Sequence, residues 1–476
     1  MGADRLSPLC AYTYGWAQRS AYRYLCFQTG GVISARVIDF ERYYREIWAY
    51  TPLSVKGKVT QVIGLVMEVS GLRPFVGEFC LVEVEGGAEP IAAEVVGFRQ
   101  GRSLLMPLGN LTGIGPGCRV MATGKPFFVN IGPDLVGKVL DGLGRPILGG
   151  ELEMPVVECT VDNQPPNPLE RRSIEEVMVT GVRAIDSLLT CGQGQRIGIF
   201  SGSGVGKSTL LGMISRFSEA EVNVIGLVGE RGREVMDFIK KDLGEEGLKR
   251  SVVIVSTSDR PALERVKAAQ VATAVAEYFR DQGRRVILMM DSVTRYAMAL
   301  REIGLAIGEP PATKGYTPSV FAALPRLLER SGTSNAGSIT GFYSVLVDGD
   351  DFNEPISDAV RGILDGHIIL SRNLAARNHY PAIDVLGSTS RLMPYIVPPE
   401  HRELAARVLE LLSAYGDNED LINIGAYVKG SNPSVDRAIS HRAPIERFLR
   451  QDMTESVTWQ QSMESFAGLL TSPGKK

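Results

Sequence analysis

No pair of the six cysteines (Cys10, Cys26, Cys80, Cys118, Cys159, Cys191) stands at C-x-x-C spacing, and none of the four histidines belongs to an H-E-x-x-H motif. A zinc site or a disulfide framework is therefore not expected, and a reducing cytoplasm is the simplest home. No stretch approaches 18 consecutive apolar residues, so no helix is expected to span a bilayer. An excess of one charge is missing as well: 476 residues carry a net charge of −3, with 44% hydrophobic and 22% charged side chains. That balance gives no electrostatic case for nucleic acid as the main partner. Internal repeats are absent too. The length allows two or three domains with a substantial core.

The first 36 residues contain one acid (Asp4), four arginines and six Tyr/Phe/Trp residues without a sustained period. They lack the amphipathic face of a transit peptide and the apolar centre of a signal peptide. Residues 1–36 are expected to be a poorly ordered extension, for which an upstream start-codon choice is a plain explanation. Residues 37–52 have helical spacing, with Phe40, Tyr43, Tyr44 and Ile47 on one side, until Thr51-Pro52 stops them. Over residues 53–129, short runs such as VKGKVTQVIG, LVMEVSG, EFCLVEVEGG and PIAAEVVGF alternate with glycine turns, which predicts a small β-barrel.

After a Gly/Pro-rich connector the rhythm changes. Strand-like runs at RIGIF, VNVIGLV, SVVIVS, RVILMM and HIIL alternate with helical segments, including one over Pro261 to Phe279. This pattern predicts an α/β domain over residues 130–394 with a parallel sheet and covering helices. Residues 395–476 read as amphipathic helices.

The strand RIGIF runs into Ser201-Gly202-Ser203-Gly204-Val205-Gly206-Lys207-Ser208, and Thr209-Leu210-Leu211 opens a helix. This is a P-loop in its expected context, although Ser201 replaces the usual first glycine. Backbone N–H groups and a helix N-terminus can close round phosphates, Lys207 can reach the β- and γ-phosphates, and the Ser208 hydroxyl can ligate Mg²⁺. The alternative is a glycine turn ahead of a buried helix. A metal-bound nucleotide also needs an acid at the end of a neighbouring strand, and Val286–Met290 ends in Asp291, which could equally be a helix N-cap.

In NVIGLVGERGREV a strand breaks into charge at its carboxyl edge, where ligands of open α/β sheets bind. ATP hydrolysis needs a group that orients the attacking water and cations that offset charge on the γ-phosphate. Glu230 suits the first task; Arg231 and Arg295 suit the second. A surface salt-bridge cluster leading into a helix over Glu234–Leu243 is the other reading.

With these residues placed, the chain from about Val37 onward resembles the flagellar protein export ATPases, part of the wider group of type III secretion ATPases and rotary ATP synthase subunits. The resemblance is carried by GSGVGKSTLL, GERGREV, MMDSVTRYAMALREIGLAIGEPP, GYTPSVFAALPRLLERSG, DGHIILSRNLAARNHYPAIDVL and STSRLM. It implies a RecA-like P-loop core, Mg²⁺-dependent ATP hydrolysis, a catalytic glutamate at Glu230, the phosphate lysine at Lys207 and the Mg²⁺ ligand at Ser208. It further implies an arginine finger at Arg391 acting on the neighbouring subunit's ATP, and an adenine-stacking role for Tyr380. The partners implied are other copies of the chain in a homohexameric ring, a regulatory stator-like protein at the N-terminal region, export-gate membrane proteins, and export substrates with their chaperones. The implied location is cytoplasmic and peripheral, at the inner face of the cell membrane at the flagellar base, with no nucleic acid.

The C-terminal stretch DLINIGAYVKGSNPSVDRAI is similar to the export ATPases and unlike the acidic helix-turn-helix of the synthase's catalytic subunit. The synthase's non-catalytic subunit has glutamine where Glu230 stands. GEPPATKGYTPSVF and NHYPAIDVL favour the flagellar over the virulence system. An RNA-translocating ring helicase would need a basic, aromatic N-terminal module, which a barrel containing EVEGGAEP does not offer.

Overall fold

The computed structural model describes residues 56–84, 89–152, 156–347 and 351–470, together with the backbone of two short strands, Tyr24–Leu25 and Arg36–Val37. These two strands pair antiparallel, Tyr24 opposite Val37, within a unit that ends at Val55. Val37, the first residue of the helix expected over residues 37–52, lies in the second of these strands; the rest of that helix lies outside the described residues, as does most of the expected extension over residues 1–36.

Six strands close a barrel: β1 (Lys56–Ile63), β2 (Val66–Ser70), β3 (Glu78–Val82), β4 (Ile91–Arg99), β5 (Arg102–Pro107) and β6 (Arg119–Pro126), in the order β1-β2-β5-β4-β3-β6. Alternation decides which side chains point inward. In β1, Val59 is buried between exposed Lys58 and half-buried Thr60. It joins Met67, Val69, Cys80, Val82, Ala93, Val95, Leu105 and Val120 in the barrel core. The barrel is tied to the rest of the chain by a buried Lys267–Glu94 ion pair of 2.5 Å and by Arg99, which donates to the Ile307 carbonyl at 2.7 Å.

The larger sheet runs β8 (Pro146–Leu148), β7 (Val139–Asp141), β11 (Ser251–Ser256), β10 (Val222–Val228), β12 (Arg285–Asp291), β13 (Ser338–Leu346), β9 (Arg196–Ser201), β14 (Gly366–Leu370) and β15 (Ile383–Ser390). Pairing is parallel from β7 to β14 and antiparallel where β8 and β15 join at the two ends. Two strands at its centre show why these runs are apolar throughout. Val224 and Val228 of β10, with Leu288 and Met290 of β12, face one hydrophobic cluster; Ile225, Leu227, Ile287 and Met289 face another. A parallel strand covered on both faces tends to a near-continuous apolar run. Helix α3 (Ala262–Asp281) covers the first face, and α1 (Lys207–Phe217) covers the second.

Two expectations change here. Ser338–Leu346 forms a central strand that its many small and polar residues concealed. The helix expected over Glu234–Leu243 instead divides into α2 (Gly232–Asp237) and a π-helical turn at Phe238–Leu243. The wider turn buries both Phe238 and Leu243, and the Asp242 carbonyl approaches so close to Gly212 that a Cβ there would meet it at 2.6 Å.

Helices α7 (Pro399–Gly416) and α9 (Pro433–Leu449) follow the sheet and pack against each other. They contribute Val408, Leu412, Ile445 and Phe448 to the cluster that also contains Leu210, Leu211 and Ile214 of α1. The helical region thus shares a core with the helix that follows the P-loop.

One buried ion pair anchors the base of this architecture. Arg330 donates to both Glu277 oxygens, at 2.8 and 2.7 Å, and to the Val161 carbonyl at 2.7 Å; Asn163 donates to Glu277 at 2.9 Å. The two charged side chains are 2% and 6% exposed, so removing one strands the other without solvent. Glu277→Ala is expected to destabilise the protein by about 3–5 kcal/mol. Urea unfolding of variant and parent checks this, with the double change Glu277→Leu/Arg330→Met expected to cost far less.

Candidate functional site

Strand β9 delivers its carboxyl end to the loop Ser201–Gly206, and α1 begins at Lys207. Gly204 and Gly206 hold φ of 78° and 91°, a left-handed backbone that favours glycine. They turn the loop back over the start of α1. Beside it lies a cavity of about 520 Å³, lined by Ser201–Gly204, Gly206–Thr209, Glu230, Arg231, Glu234, Asp291 and Arg295, with Leu346 and Val347 among the remaining walls. The strands β9, β10, β12 and β13 all end here, as expected for the carboxyl edge of an open sheet.

Charges converge at the floor of this cavity. Lys207 Nζ donates to Asp291 Oδ1 at 2.5 Å and stands 3.8 Å from Glu230 Oε1. Arg295 Nε approaches the same Glu230 oxygen at 4.0 Å. Ser344, on the unforeseen strand β13, donates its hydroxyl to Asp291 Oδ1 at 2.6 Å. Burial opposes the charge on Lys207, but Asp291 and Glu230 outweigh it and raise its pKa. For Glu230 burial dominates: with the Asp291 charge and a hydrogen bond shared with Glu234, it lifts the carboxyl to about 7 against the pull of Lys207 and Arg295.

The helix-cap alternative for Asp291 fails. The N-cap of α4 (Val293–Ile307) is Ser292, whose hydroxyl accepts from the Arg295 N–H at 3.3 Å. Asp291 is instead free of capping duty and turned to Lys207. Glu230 likewise is no surface charge, at 8% exposure. Arg231 is: its side chain is 75% exposed and pairs with Glu234 at 3.3 Å on the cavity rim.

Two expected residues lie off this floor. Tyr380 is not among the lining residues, yet its ring edge would sit 3.4 Å from a Cβ on Gly206, which places it beside the end of the P-loop with 42% of the residue exposed. Arg391 follows β15 at the far edge of the sheet: Ser390 is opposite Gly366 at the start of β14, whereas Leu370 at its end is opposite Ser201. Five residues of strand therefore separate the two sites, roughly 13 Å. Val205 turns inward and belongs to the core.

Sequence reasoning overlooked Ser344 and Glu234. No local pattern marks Ser344, which is 53 residues from its partner. Glu234 carried a signal, a second carboxylate one helical turn beyond Glu230.

The donor set suits a metal-bound triphosphate. Mg²⁺ takes oxygen ligands and keeps several waters, and the Ser208 hydroxyl and Asp291 carboxylate border one cavity. Glu230 Oε1 and Ser201 Oγ are buried acceptors with no hydrogen-bond partner within the protein, a state that calls for a ligand or water.

Comparison with known proteins agrees with this chemistry. Residues 181–390 match the nucleotide-binding domain of the ATP synthase alpha/beta family, and residues 59–124 match that family's β-barrel domain. Residues 397–467 match the C-terminal domain of the type III secretion ATPase EscN. The flagellum-specific ATP synthase of Bacillus subtilis is 56% identical over 414 residues, covering 87% of this chain and 94% of the relative. The type 3 secretion system ATPase of Xanthomonas euvesicatoria is 51% identical over 416 residues, covering 87% and 93%. Among solved structures, assembled EscN of enteropathogenic E. coli in complex with its central stalk EscO superposes with a TM-score of 0.81. That match has 44% identity and covers 87% of this chain and all of the other.

Proposed function

The chain belongs to the family of flagellum-specific ATP synthases and type III secretion ATPases, and from that premise we propose that it hydrolyses Mg·ATP at the interfaces of a homohexameric ring to energise flagellar protein export. The observation that carries the reading is the Glu230 oxygen, buried without a hydrogen-bond donor and 3.8 Å from the P-loop lysine. Such an atom is placed to accept from a water beside a γ-phosphate.

Each residue then has a task. The amides of Ser201–Thr209 and the Lys207 ammonium hold the phosphates, with Lys207 exchanging Asp291 for phosphate oxygens as substrate enters. Ser208 and Asp291 would hold Mg²⁺, directly or through its waters, and the ion when bound neutralises charge on the β- and γ-phosphates. Glu230 orients the attacking water. Arg295 and, from the rim, Arg231 offset charge that develops on the transferred phosphoryl. Tyr380 stacks on adenine beside Gly206.

Arg391 completes the site from the next copy. Its distance from the P-loop of its own chain supports that reading, as does the assembled state of the EscN relative. The ring works in the cytoplasm at the inner face of the membrane; among the described residues no helix is long and apolar enough to cross one. Its N-terminal region, expected to form a helix over residues 37–52, binds the stator-like regulator, and a stalk protein like that of EscN, the export gate and chaperoned substrates are its other partners. Hydrolysis helps release and unfold those substrates alongside the proton-motive force.

A shared site makes activity depend on assembly. Specific ATPase activity is expected to rise cooperatively with protein concentration; activity that stays constant down to dilute monomer would remove the interface from the mechanism.

A further inference from the structure

Gly202, the second residue of the P-loop, differs from Gly204 and Gly206. Its φ does not fall in the left-handed region, so no backbone requirement explains the glycine. What occupies the space is the Arg372 guanidinium: a Cβ on Gly202 would lie 2.5 Å from Nη2, 2.6 Å from Nε and 2.9 Å from Cζ. Strand register explains the meeting. Leu370 is the parallel partner of Ser201, and each chain continues past its strand end, one to Gly202 and the other to Arg372.

Arg372 opens a short helix, α6 (Arg372–Ala376), whose N-cap Ser371 accepts from the Leu374 N–H. The segment that follows is held from outside. Arg377 donates to Glu419 at 2.9 Å, and the Tyr380 carbonyl accepts from the Gln451 N–H at 2.9 Å. The same segment touches the P-loop again where Tyr380 meets Gly206. A planar cation thus turns its Nε–Nη2 edge to one end of the phosphate loop, on a segment braced by the C-terminal helical region.

We propose that Arg372 is a positioning residue for nucleotide binding: it braces the P-loop at Gly202 and adds positive potential behind the cradle, and Gly202 is glycine to admit it. The inference rests on Ser201–Thr209 being the phosphate site. An exposed arginine fills no core, so its removal leaves the fold intact. A cation that preorganises the loop strengthens ground-state and transition-state binding alike, which appears in KM and not in kcat.

The experiment measures ATPase kinetics and ADP affinity on the full chain for Arg372→Ala, Gly202→Ala and the double variant. Each single change is expected to raise KM and weaken ADP binding about tenfold with kcat within about twofold. The double variant should lose no more than either single one, because the three atoms that a Cβ at position 202 would meet first all belong to that guanidinium. Unchanged KM and ADP affinity in Arg372→Ala, or additive losses in the double variant, would overturn the proposal. Lys207→Ala, measured in parallel, separates the two claims: wild-type ADP affinity there would fault the phosphate site itself.

Discussion

Arg391→Ala is expected to bind ATP with near-parental affinity and to lose about 10³–10⁵ in turnover, the usual range for an arginine finger. The residue is exposed and, among the described residues, its side chain's hydrogen bond is a long one of 3.4 Å to the Arg361 carbonyl, so truncation should leave the fold unaltered. Within one copy it stands at the amino end of β14 while the P-loop stands at the carboxyl end. It therefore contributes little to holding nucleotide in its own chain. Its charge matters when negative charge spreads over the γ-phosphate oxygens of the adjacent copy, which places the loss in kcat. Equilibrium nucleotide binding and steady-state kinetics on the same preparation check this, and turnover near the parental rate would exclude Arg391 from the chemistry.

The second large effect belongs to Glu230. Glu230→Gln keeps the volume of the side chain and removes its charge, so the cavity keeps its shape while the water loses its strongest acceptor. A loss of about 10²–10⁴ in kcat is expected, with nucleotide still bound. The pH profile gives an independent reading. Burial, Asp291 and Glu234 raise the Glu230 carboxyl to about 7, so the free protein holds the protonated form below that pH and the carboxylate above it. The carboxylate is much the stronger acceptor from water. The parent's kcat/KM should therefore fall as pH drops through about 7, and the residual activity of Glu230→Gln should lack that limb. Parental turnover in the glutamine variant would exclude Glu230 from the chemistry.

The barrel was legible because its strands are short runs separated by glycine turns, with buried and more exposed positions alternating in β1 and β3. The parallel strands Val222–Val228 and Ser251–Ser256 were legible for the opposite reason, since burial on both sides made VNVIGLV and SVVIVS predominantly apolar. Ser338–Leu346 escaped because its buried positions hold Ser338, Thr340, Gly341 and Ser344. Three of these have a local reason invisible in the pattern: Ser344 serves Asp291, the Thr340 hydroxyl accepts from the Gly194 N–H, and Gly341 makes room for the Tyr343 ring. The antiparallel edge strand Ile383–Ser390 has one half-exposed face and carries a weaker signal. At the site, the P-loop, Glu230, Asp291 and Arg295 could be read from motifs and strand ends. Arg372 could not, because its partner lies 170 positions away and only the register of β9 and β14 brings them together.

The direct test of a site divided between two copies is to mix them. Glu230→Gln and Arg391→Ala subunits, each nearly inactive alone, are combined under assembly conditions and assayed for ATP hydrolysis. Mixed rings contain interfaces where one copy supplies an intact glutamate and its neighbour an intact arginine, so activity should return to a substantial fraction of the parent's. A mixture no more active than its two components, in rings shown to contain both, would contradict a catalytic site shared across the interface.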